Sequence, residues 1–121
     1  MAKTKNRSLW IDGCKYLWNR KHVHKNEYVR SPCSEILTVY LADQKTGPLR
    51  IAFDQDEADT HWVIGYPNQG VIWNQTHSFN LNEPGVVTAL IRKAITLGWV
   101  PTQSKLPYDL NGIQLLNDGS I

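Results

Sequence analysis

Pro84-Gly85-Val86-Val87-Thr88-Ala89-Leu90-Ile91-Arg92-Lys93-Ala94-Ile95-Thr96-Leu97-Gly98-Trp99-Val100-Pro101 reads as one complete helix with its punctuation. Val87, Leu90, Ile91, Ala94 and Leu97 fall on one stripe at helical spacing, whereas Thr88, Arg92, Lys93 and Thr96 face away. Asn82 or Glu83 supplies the cap, and Pro84 suits a first turn whose N–H has no partner to lose. Gly98 offers the left-handed conformation past the last turn, Trp99 the apolar contact that follows it, and Pro101 the stop. The spacing predicts a helix over 84–97. Its stripe must be buried against a second layer.

That layer lies upstream, where the apolar period changes from helical to alternating. Leu9-Trp10-Ile11 and Cys14-Lys15-Tyr16-Leu17-Trp18 flank Asp12-Gly13, a pair that supplies the positive φ angles of a tight hairpin turn. Cys14, Tyr16 and Trp18 point one way and Lys15, Leu17 and Asn19 the other. Residues 19–34 are polar, basic and broken by Pro32, and read as a long loop. In the strand from Glu35 to Ala42, Leu37, Val39 and Leu41 make one apolar face, with Ile36, Thr38 and Tyr40 opposite. After turn residues 43–48, Leu49, Ile51 and Phe53 alternate with Arg50 and Ala52 on a returning strand. An acidic loop over 54–60 precedes short strands at 61–66 and 71–75, and 106–110 and 113–116 read as closing strands about Asn111-Gly112. The expected fold is α+β: an antiparallel sheet of five to seven strands built from hairpins, with one amphipathic helix on one face. A flexible basic tail, 1–7, would precede a single domain over 8–121.

A chain of 121 residues has the length of one domain and buries about two-thirds of its unfolded surface without a metal or disulfide staple. The composition, 41% hydrophobic and 20% charged, is that of a folded protein and excludes a disordered one. No apolar run approaches membrane-spanning length, and no signal-peptide core follows Met1. A cytoplasmic protein without membrane contact is expected, with Cys14 and Cys33 as reduced thiols. The net charge of +2 conceals an asymmetry: residues 1–34 carry eight Lys/Arg against Asp12 and Glu27, and residues 35–121 carry five against nine acids. Such a split suits steering of a charged partner.

The candidate chemistry is sparse. His22 and His24, with Cys14, Cys33, His61 and His77, lack the spacing of zinc ligands, so no metal or cofactor is implied. Asp54, Asp56, Glu57 and Asp59 crowd four carboxylates into six residues. A calcium loop counted from Asp54 needs glycine and a bidentate glutamate where Asp59 and Gly65 stand. The acidic loop reads instead as a charged turn or as a contact for a basic partner. Arg20, Lys21, His22, His24 and Lys25 sit in a basic region, 15–30, that also holds Tyr16, Trp18 and Tyr28, a mixture suited to single-stranded nucleic acid. No nucleophile elbow or phosphate-cradling glycine loop is present.

The opening Ile11-Asp12-Gly13-Cys14-Lys15-Tyr16-Leu17-Trp18, with Glu83-Pro84, Gly98-Trp99-Val100-Pro101 and Pro107-Tyr108-Asp109-Leu110, resembles a loose group of small uncharacterised bacterial proteins. Those proteins begin with a glycine-turn hairpin and end in a helix, a Gly-Trp-x-Pro turn and a short strand. The size and layout are also similar to those of immunity proteins of bacterial toxin systems. The shared motifs are structural, so the resemblance carries over no functional residue. The expected function is non-catalytic binding of a protein partner, as by an immunity or inhibitor protein, with Trp62, Tyr66 and Trp73 as anchors beside the acidic loop. A nucleic-acid-binding protein using 15–30 is the alternative, and a small enzyme of unknown class a second one.

Overall fold

The structure is a computed structural model, and it describes residues 6–24, 33–54, 61–64, 71–74, 78–102 and 105–117. β1 (Arg7–Ile11) and β2 (Cys14–His24) form the first hairpin, closed by Asp12 at φ +50° and Gly13 at φ +83°. Two successive positive φ angles make the turn a mirror-image type I, whose twist matches that of the strands. β3 (Cys33–Leu41) and β4 (Gln44–Asp54) form the second. Its register slips between Val39 and Leu41, where four residues of β4, including Gly47 at φ +62°, lie opposite Tyr40. A second, three-stranded antiparallel sheet contains β5 (His61–Ile64), β6 (Val71–Asn74) and β7 (Ser78–Asn80). Helix α1 (Pro84–Leu97), strand β8 (Tyr108–Asn111) and helix α2 (Gly112–Asn117) complete the described chain.

The large sheet has the order β1-β2-β3-β4-β8. Directly opposed residues share a face, so the register sorts its side chains. Leu9, Ile11, Tyr16, Trp18, Leu37, Val39, Leu49, Ile51 and Phe53 line the inner face and are buried. Val87, Leu90, Ile91 and Ala94 of α1, with Ile72, Leu81, Trp99 and Leu115, complete the core. Trp99, 1% exposed, tilts against Tyr16 with ring centroids 6.2 Å apart and donates its Nε1–H to the Gly47 carbonyl at 3.2 Å. The helix ends as its sequence requires: Gly98 at φ +126° and Trp99 both donate N–H groups to the Ala94 carbonyl.

Several expectations are corrected. Residues 19–24 are not loop but the second half of β2, paired through His24 with β3. Arg20 and His22 interrupt the apolar alternation there because they face a buried acid. The sheet is mixed, not antiparallel throughout: β8 runs parallel to β4, from Leu49 opposite Tyr108 to Ala52 opposite Asn111. The segment between them contains α1 and provides the crossover that a parallel pair needs. Residues 113–116 form part of α2, not a strand, because Asn111 caps it by accepting from Gln114 N–H at 3.2 Å. Leu97 is 46% exposed and lies off the buried stripe, and Trp10 of β1 is 66% exposed. Glu83 occupies the cap position of α1 without a side-chain bond. Arg7, assigned to the tail, begins β1.

Cys14 and Cys33 lie at opposite ends of β2, since Cys33 pairs with His24 and Cys14 with Ile11. About 33 Å of strand separates those ends, so one chain cannot join its two thiols within the roughly 7 Å a disulfide tolerates.

Candidate functional site

The most polar part of the interior is built by the β2–β3 register. His22 lies directly opposite Glu35, and Arg20 is two residues along the same face. Glu35 is fully buried. Its Oε1 lies 2.6 Å from His22 Nδ1 and its Oε2 accepts from the Arg20 guanidinium at 3.3 Å. Arg20 Nε donates to Asn82 Oδ1 at 3.1 Å, and Arg7 donates to the Asn82 carbonyl at 3.1 Å while lying 4.7 Å over the Trp18 ring. A charge this deep is tolerable only when paired and hydrogen-bonded. Both carboxylate oxygens are engaged inside the protein, and a general base or nucleophile needs one facing a substrate. The cluster therefore pins β2 and β3 to the segment before α1. Glu35 and Asn82 are absent from the sequence candidates, although one signal was available: Glu35 shares the parity of Leu37, Val39 and Leu41, which places it on the apolar face.

Most of the sequence candidates are dispersed. Arg20 and His22 point inward, whereas Lys21 is exposed on the outer face, and His24 closes β2 opposite Cys33. Asp54 is exposed at the end of β4 and accepts from the hydroxyl of Ser34. Trp62 and Trp73 stand opposite one another in the β5–β6 register. Lys25, Asp56, Glu57, Asp59 and Tyr66 lie outside the described residues. The arginines of the described residues all have partners. Besides Arg7 and Arg20, Arg50 forms a bidentate pair with Asp109 at 2.7 and 3.0 Å, and Arg92 pairs with Asp12 at 3.1 Å. The Asp109 hydrogen bond and charge push the Arg50 pKa further up.

The structure singles out the outer face of the five-stranded sheet. Leu17, Val23, Ile36, Thr38, Tyr40 and Ala52 are half-buried on it, and of its described side chains only Ser34 is buried. Tyr40 is fixed by a polar ladder: Asn19 donates to Asn6 Oδ1 at 2.9 Å, and Asn6 donates to Tyr40 Oη at 2.6 Å. Lys15, Lys21, Arg50, Asp54 and Asp109 place charges of both signs around this apolar middle. At the hairpin end Trp10 borders a cleft of about 390 Å³ lined also by Lys15, Leu41, Asp43 and Thr102. Among the described residues no group of three metal-ligating side chains converges, and no helix is long and apolar enough to cross a membrane. Comparison of the chain with protein families, with curated proteins and with solved structures returned no match.

Proposed function

We propose that this chain is a non-catalytic protein-binding domain whose contact surface is the outer face of the five-stranded sheet. The supporting observation is the pattern on that face, a half-buried centre of Leu17, Ile36, Thr38 and Tyr40 inside a ring of mixed charges. An apolar middle with a polar rim is the anatomy of a protein interface. Stoichiometric inhibition, in the manner of an immunity protein, is the form of binding proposed. The nucleic-acid reading has less support, because the described arginines are consumed by Glu35, Asp109, Asp12 and Asn82, which leaves Lys15 and Lys21 as the cations of this face.

The test is site-specific photocrosslinking in the native host, with a photoreactive amino acid at Tyr40 and, as control, at Thr96 on α1. A single adduct of defined mass from position 40 and none from position 96 is expected, and Ile36→Glu should abolish it without lowering the melting temperature. Equal labelling from both positions, or an adduct indifferent to Ile36→Glu, would sink the proposal.

A further inference from the structure

The outer edge of β1 also has a pairing capacity that the β1–β2 hairpin leaves unused. A two-residue turn closes on a hydrogen-bonded pair, here Ile11 and Cys14, and bonded pairs then alternate along the ladder. The N–H and C=O groups of Arg7, Leu9 and Ile11 therefore point at β2. Those of Ser8 and Trp10 point away from it, and among the described residues no strand pairs with that edge. Natural edges are usually protected by lysine, proline, a bulge or an inward-pointing charge. Arg7–Ile11 contains no lysine or proline, and its register with β2 is unbroken. Its one charge, Arg7, is drawn to Trp18 and Asn82.

We infer that β1 pairs antiparallel with β1 of a second copy of this chain, about a two-fold axis through Leu9, to join two five-stranded sheets into one. The register follows from parity. Antiparallel pairing centred on Leu9 sets Ser8 opposite Trp10 of the second copy, and Trp10 opposite its Ser8. These are the residues whose backbone groups face outward, so each pair exchanges two hydrogen bonds. A shift by one position would put inner-face residues against outer-face ones. The side chains fit the same arrangement, with the large exposed Trp10 opposite the small exposed Ser8. Ser8 in turn stands opposite Leu17, and Leu17 opposite Tyr40, so the Trp10 ring continues that row across the junction. An unrelated extended peptide could use the edge hydrogen bonds. Only a second copy supplies Ser8 and Trp10 in reciprocal positions, the self-complementarity a two-fold interface requires.

Sedimentation equilibrium of the full chain, with reductant, tests this. The expected result is a reversible species of twice 13.8 kDa. Ser8→Pro removes an outward N–H while keeping the hairpin's own bonds, as proline on the free side of an edge strand does. It should weaken association at least about tenfold with an unchanged circular dichroism spectrum, and Trp10→Ser should weaken it similarly through the lost ring. A chain that stays monomeric up to about 200 μM overturns the inference. Dimers indifferent to both substitutions overturn it too, as do dimers that respond to Trp10→Ser alone, which would be held by ring contact and not by a strand edge. The result is independent of the photocrosslinking at Tyr40, which reads the middle of the face.

Discussion

Glu35 is where truncation of one side chain has a large expected effect. Its carboxylate is itself fully buried and holds the partly buried His22 and Arg20. Glu35→Ala would leave the partly buried Arg20 without its carboxylate beside an empty space, and truncating one member of a buried pair costs about 3–5 kcal/mol. Urea unfolding should show that loss, and a change below about 1 kcal/mol would mean that Arg20 finds another acceptor. The surface pair Arg92–Asp12, with both side chains more than half exposed, should contribute little, since salt and water screen it. Chemically similar pairs thus differ in worth through burial alone, which residue type does not display. Trp10 and Trp18 make the same point: one is 66% exposed and the other 1%, on the same hairpin and in similar local sequence. Strand parity separates them, and it was readable only where the alternation was clean.

At the scale of the element, α2 depends on Gly112. A methyl group there would overlap the ring of Phe53, which is itself fully buried and has no room to yield. Gly112→Ala should therefore cost about 1–3 kcal/mol as overpacking, measurable by thermal unfolding, although alanine is the better helix former. Helix α1 was legible because cap, stripe and stop agree over 84–101. The second half of β2 was hidden because its inward residues, Arg20 and His22, are polar and answer to an acid 15 and 13 positions away. Asn111-Gly112 misled for a different reason: the same pair suits a tight turn or a helix cap, and only the proximity of Phe53 and Gln114 decides between them. The direction of β8 depends on the path taken by the crossover, which no local pattern encodes. The outer face could be anticipated from Ile36, Thr38 and Tyr40, but not that, among the described residues, only Ser34 is buried on it.

For the whole molecule, alkaline pH should act through Tyr16. Burial is the main cause that raises its pKa above the ordinary 10.0, helped by the nearby Cys14 and Asp12 and opposed by Arg92. The native state then keeps a proton that the unfolded chain has already released. Stability from this group is complete below pH 10.0 and falls as pH rises through the folded pKa. Urea midpoints at about pH 9 and about pH 11 should differ, and Tyr16→Phe should flatten the difference. A slope unaffected by that substitution would assign alkaline loosening to other groups. The two cysteines at opposite ends of β2 have a consequence of another kind. With a spin label or dye on each thiol, they form a native molecular ruler set to the length of β2. Dipolar spectroscopy or energy transfer across it would report, without a single engineered residue, whether the hairpins part before the sheet dissolves.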